Sequence, residues 1–239
     1  MLEHVLPRAR EKRLVILTHS QAFGALLRGV VTQWLYSPVE SPADADLLLV
    51  EEGCLPPVTN GNVLWLSRAR VEEDNRLSLP LSLEELWRKL GKLCRNSLRN
   101  HIRIPVSLPA TLLVRGMHTP TQVNNLSDMG LRFVFPRELH NGEQLTLQMM
   151  LTGERLTLEG RVIYVIPRGD AEGTGRSEVG VIFDRTPPET RRLVREYIIW
   201  RCLEQARRQL PEPLAGQGLD FFQLPPAVRR RLAEPAESR

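Results

Sequence analysis

The chain is short of the features that mark a secreted, membrane or metal-dependent protein. Its three cysteines, Cys54, Cys94 and Cys202, are too few and too scattered for a disulfide framework, and no two form a Cys-x-x-Cys pair. Reduced thiols buried as small apolar groups are the expectation. No stretch approaches the about 18 apolar residues of a membrane span. The N-terminus Met1-Leu-Glu-His-Val-Leu-Pro-Arg8 lacks the apolar core of a signal peptide. Cytoplasmic location is the expectation these absences leave. The five histidines, His4, His19, His101, His118 and His140, show no metal-ligand spacing, so no metal is expected. No Ser/His/Asp set or local carboxylate pair stands out, and a catalytic site is not expected. A net charge of +4 without a dense basic stripe suits an anionic ligand better than DNA or RNA.

What is present is ordinary globular material, 42 % hydrophobic and 25 % charged over 239 residues. That length suffices for one large domain or two small ones.

Residues 1–94 alternate strand and helix signals. Arg13-Leu-Val-Ile-Leu-Thr18 is a short apolar run, and Ser20 is placed to cap a helix through about Trp34. Asp46–Val50 and Asn62–Leu66 follow as further apolar runs, the pattern of strands buried on both faces of a parallel sheet. Ser82-Leu-Glu-Glu85 reads as a capping box opening a helix with Leu83, Leu86, Leu90 and Leu93 on one stripe.

From Arg103 the texture changes. Thr111–Arg115, Thr121–Asn124, Leu131–Phe135, Gln144–Leu151, Arg155–Ile166 and Glu178–Phe183 read as strands separated by Gly, Pro and Asn turns. Many short strands at close spacing favour a small barrel. Thr186-Pro-Pro-Glu189 then opens a helix bearing Leu193, Tyr197, Trp200 and Leu203. Residues 210–239 are rich in Pro, Gly and charge. They are expected to form a flexible tail with one docking element, Leu219–Leu224.

Two segments carry the chemistry. Arg99-Asn-His-Ile-Arg103 sets two guanidiniums four apart before the strand-like Ile104–Val114. Asn125-Leu-Ser-Asp-Met-Gly130 offers an amide, a hydroxyl and a turn glycine before Leu131–Phe135. Planar, permanently charged guanidiniums suit phosphate oxygens and the acceptor edge of guanine. Asn, Ser and backbone groups can complete the hydrogen bonding of a purine. Together they suggest a pocket for an anionic guanine nucleotide.

On these residues, the chain from about 95 to 209 resembles a PilZ domain, a six-stranded barrel that binds cyclic di-GMP. Arg99 and Arg103 match the family's Arg-x-x-x-Arg, and Asn125, Ser127 and Gly130 match its Asp/Asn-x-Ser-x-x-Gly. Gly180-Val-Ile-Phe183 is similar to its late glycine-containing strand. The resemblance implies that Arg99 and Arg103 clamp phosphate and a guanine Hoogsteen edge. It implies that Asn125 and Ser127 bond a guanine, while Gly130 lets the backbone turn close beside the ligand. Arg95, one helical turn earlier, is the next candidate. Leu98 stands where a third guanidinium would support a stacked ligand dimer, which favours one cyclic di-GMP per site.

Residues 1–94 resemble a response-regulator receiver, but without its chemistry. Thr18-His19-Ser20 stands where an acidic pair should hold Mg²⁺, Glu51 and Glu52 where the phospho-accepting Asp should be, and Leu79 where a lysine should precede Pro80. A degenerate, unphosphorylated interaction domain is expected.

The expected organisation is therefore α/β plus β. A receiver-like parallel-sheet domain over 1–94 precedes a six-stranded antiparallel PilZ-type β-barrel with a C-terminal helix over 95–209, then a tail over 210–239. The function implied is a non-enzymatic cyclic di-GMP receptor that acts on a downstream protein in motility, biofilm or exopolysaccharide control, through interdomain rearrangement. Monomer and homodimer both stay open. The alternative is a PilZ-like interaction scaffold that binds no nucleotide. A nucleic-acid binder using Arg191, Arg192, Arg195, Arg201, Arg207 and Arg208 is a weaker third, since those arginines suit the wet side of an amphipathic helix. Arg168-Gly-Asp170 and Gly173–Ser177 read as hairpin-loop residues rather than motifs.

Overall fold

The short apolar runs of the first eighty residues become a parallel sheet. The structure, a computed structural model, describes residues 12–55, 62–69, 73–94, 100–136, 138–167 and 176–234. The Arg168–Asp170 tripeptide and most of the 173–177 segment lie outside them. Strands β1 (Lys12–Leu17), β2 (Tyr36–Pro38), β3 (Leu47–Glu51), β4 (Asn62–Ser67) and β5 (Arg76–Ser78) pair in the order β2-β1-β3-β4-β5. Every pairing is parallel. This is the strand order of a flavodoxin-type doubly wound sheet. All five residues of β3 are buried, as a central strand covered on both faces requires.

Helix α1 (Gln21–Gln33) starts where Ser20 accepts the Phe23 N–H at 3.2 Å, as its capping position predicts. Helix α2 (Leu83–Cys94) buries Leu83, Leu86 and Leu90, three of the four stripe leucines.

The second unit is a closed barrel. Strands β6 (Ile104–Val114), β7 (Met117–Ser127), β8 (Gly130–Phe135), β9 (Gln144–Leu151), β10 (Glu154–Pro167) and β11 (Ser177–Phe183) pair antiparallel in the order β10-β11-β8-β7-β6-β9, and β9–β10 closes the ring. Inward residues such as Leu112, Val123, Phe133, Leu147, Leu158 and Val179 are at most 3 % exposed. Along β10 burial alternates residue by residue, the period-2 signature of a sheet with one dry face. The β6–β7 hairpin is longer than its strand signals suggested. Arg115 and Gly116 turn it in two residues, both at positive φ, the requirement of a tight hairpin loop.

Helix α3 (Pro188–Arg207) follows the barrel. The compact units are residues 1–100 with 202–239, and residues 101–201, so the division falls inside α3.

Where composition suggested a flexible tail, helices α4 (Glu212–Leu219) and α5 (Pro226–Ala233) form instead. Phe222, Val228 and Leu232 are buried within the sheet unit. Phe222 packs edge-on against Phe23 at 5.5 Å, and the Leu81 N–H donates to the Phe221 carbonyl at 2.7 Å. Pro211, Pro213, Pro225 and Pro226 stand at the N-caps and first turns of these helices, where a missing N–H costs nothing.

Candidate functional site

Antiparallel pairing of β6 with β7 sets Arg103, directly before β6, beside the second candidate segment. Ile104 faces Leu126 and Pro105 faces Asn125, so the chain entering β6 runs beside the β7–β8 turn. Both β7 pairings shift register near this end, between Pro105 and Leu108 on β6 and between Val123 and Asn125 against β8. Bulges of this kind re-aim side chains at a barrel rim.

Arg103 is half-buried directly before β6, and Asn125 is half-buried opposite Arg132. Arg95, Leu98 and Arg99 lie outside the described residues. Ser127 is 1 % exposed, and its hydroxyl donates to the Gly130 carbonyl at 3.0 Å. In this structure it closes the turn between its own strand and β8.

Gly130 answers to a neighbour rather than to its own backbone angles. A Cβ there would stand 2.2 Å from the Val181 carbonyl oxygen of β11, a distance no side chain tolerates. Gly180 plays the matching part in β11, where a Cβ would meet the Tyr164 ring at 2.2 Å. The two motif glycines let β8, β11 and an aromatic ring close up.

Asp128 went unnoticed in the sequence. It is 4 % exposed, with His101 Nδ1 at 2.8 Å from Oδ1 and Arg195 Nε at 2.7 Å from Oδ2. The carboxylate thus joins the chain before β6, the β7–β8 turn and α3. An aspartate directly after the motif serine was the available signal. Its partners lie 27 and 67 residues away and could not be paired from spacing. His101 holds it, and so does Arg195, which suited the wet side of a helix.

In the sheet unit, the carboxyl ends of β1 and β3 form a second polar cluster. Glu51 is buried and accepts the His19 N–H at 2.9 Å, while Ser67 Oγ donates to Glu52 at 2.6 Å. Arg76 pairs with Glu52 as well. These carboxylates are occupied by internal donors. Burial, and then Glu51, push the Cys54 thiol pKa up, which keeps it protonated. Among the described residues no group of three or more His, Cys, Asp or Glu could hold a metal ion. No helix of the described residues is long and apolar enough to cross a membrane.

No curated protein matches the chain. Among solved structures it is similar to the Bacillus subtilis inhibitor of motility (MotI/DgrA), at 18 % identity and TM-score 0.40 over 45 % of this chain and 53 % of that one. The chain therefore spans about half the length of that relative. It is also similar to the PilZ domain with c-di-GMP of YcgR from Escherichia coli, at 16 % identity and TM-score 0.40, covering 47 % of this chain and 97 % of that one. A third is the K. pneumonia MrkH–c-di-GMP complex, at 17 % identity and TM-score 0.41, covering 48 % and 56 %. The family model that matches is the PilZ domain, over residues 97–200, the segment that holds both motifs and the whole barrel. Residues 97–200 of this chain are a PilZ domain.

Proposed function

We propose that this chain is a non-enzymatic receptor for cyclic di-GMP, with the ligand held by Arg99, Arg103, Asn125 and Ser127 beside Gly130, and Arg95 reaching in from the preceding segment. One ligand per site is proposed, because Leu98 supplies no third guanidinium. The observation that carries this reading is the β6–β7 register, which sets the residue before Ile104 next to the 125–130 turn. A guanidinium and a motif amide on adjacent chain segments suit a ligand that has both phosphates and purine edges.

The arginine segment also links α2 to β6 along the chain. A ligand that favours one arrangement of the two units shifts their population toward it, and a protein partner in motility, biofilm or exopolysaccharide control reads the shift. The sheet unit we take as receiver-like and unphosphorylated. Its support is the β2-β1-β3-β4-β5 order and the glutamate at the end of β3, already bonded to His19. Incubation with acetyl phosphate should add no phosphate; a modified Glu51 or Glu52 by mass spectrometry would overturn that part.

Titration calorimetry with cyclic di-GMP tests the pocket. The unaltered chain should bind at one ligand per protomer, and Arg103→Ala and Ser127→Ala should each weaken binding. Unchanged affinity in both variants refutes the pocket. A stoichiometry of two refutes the single-ligand site. One observation favours the scaffold reading: the Ser127 hydroxyl is buried and already spent on Gly130. That reading expects no heat from any of the three proteins.

A further inference from the structure

We propose that His101 is a positioning residue for the cyclic di-GMP site, and that its bond to the buried carboxylate of Asp128 holds the chain just before Arg103 against the β7–β8 turn. The inference rests on the receptor reading above and adds a residue that the two motifs do not include.

Three facts carry it. His101 stands midway between Arg99 and Arg103, and Asp128 stands between Ser127 and Gly130, so one contact of 2.8 Å ties motif to motif. The far side of the carboxylate is fixed by Arg195 Nε at 2.7 Å, and its side chain is only 6 % exposed. Next to His101, Ile102 is buried, at 5 % exposure. The chain is therefore anchored at two successive residues just before Arg103, by a hydrogen bond to Asp128 at His101 and by burial at Ile102.

Physically, this is preorganisation. A free linker bearing two arginines loses chain and side-chain freedom when it closes on a ligand, and that loss is subtracted from affinity. A segment already tied down at 101–102 loses less. The contact also has an electrostatic use. A bare carboxylate beside a doubly anionic ligand would repel it, whereas Asp128 is neutralised by Arg195 and capped by the imidazole N–H. His101 itself is 39 % exposed at its side chain, so its removal should leave the barrel folded.

The test is titration of the full chain with cyclic di-GMP, comparing the unaltered protein, His101→Ala, His101→Asn and Arg103→Ala, with thermal unfolding followed for each. Asparagine can place an amide N–H near the position of Nδ1 without the ring. His101→Ala should bind about tenfold more weakly at an unchanged melting temperature, and His101→Asn should recover to within about threefold. A merely structural histidine would move the melting temperature and not be rescued in affinity by asparagine. Binding by His101→Ala equal to the unaltered chain, with Arg103→Ala impaired, overturns the positioning role and leaves the receptor reading standing. An asparagine variant as weak as alanine also overturns it. No heat from the unaltered chain overturns the receptor reading and this role together.

Discussion

Phe23 and Phe221 stack with ring centroids 4.7 Å apart and planes 11° from parallel, joining the first helix to a segment almost two hundred residues later. Phe222 sits edge-on to the same ring and is 1 % exposed. The C-terminal segment is thus part of the sheet unit's core.

Phe222→Ala should lower unfolding stability by about 3–5 kcal/mol, because the site is lined by α1 and has little means to collapse. A chain ending at residue 210 should be destabilised further still. Urea denaturation of both proteins measures this. A truncated chain as stable as the full one would show that the segment contributes nothing.

Gly130→Ala should cost at least about 1–3 kcal/mol, since its Cβ would stand 2.2 Å from the backbone oxygen of Val181 and a carbonyl cannot swing away. Gly180→Ala meets a side chain instead, the Tyr164 ring at 2.2 Å. Its cost should therefore shrink in a Tyr164→Ala background, while that of Gly130→Ala should not. Thermal unfolding of the two double-variant sets separates the cases.

Glu204 and Arg207 are buried partners on α3, with side chains 1 % and 8 % exposed and 3.1 Å between them. Glu204→Ala leaves a buried guanidinium short of its carboxylate and should cost about 3–5 kcal/mol. Replacing both, as Glu204→Leu with Arg207→Met, should recover most of the loss. Chemical denaturation of the three proteins gives the coupling.

Tyr36 and Cys94 hydrogen-bond within the sheet unit, and burial raises the pKa of each above its ordinary value. Groups that hold protons more tightly when folded stabilise fully below their unfolded pKa values, and that stability is lost as pH rises through the folded ones. Stability should fall from the ordinary thiol range upward, and less so in Tyr36→Phe with Cys94→Ala. Cys54, also raised, should react with iodoacetamide more slowly at neutral pH than a free thiol does. Unfolding midpoints against pH, and alkylation rates by mass spectrometry, check the two statements.

The sequence alone determined most of the longer elements and the motif residues. Continuous apolar runs became β1, β3 and β4, and alternating apolar and polar residues in 145–149 and 156–159 became parts of the paired barrel strands β9 and β10. Ser20 capped its helix. These features depend on neighbours a few residues away, where periodicity and capping chemistry act. Arg103, Asn125, Ser127 and Gly130 were legible because they form two local patterns in order.

Tertiary structure decided the rest, because each remaining feature depends on partners far apart in the chain. The proline-rich C-terminus looked mobile until Phe23 and Leu81 supplied somewhere for it to pack. Gly130 looked like a ligand-side turn residue, and the close carbonyl of β11 gives it a packing reason as well. Asp128 drew no role from the sequence. Only the tertiary fold brought His101 and Arg195 to its two oxygens, and a buried carboxylate without hydrogen-bond partners is costly.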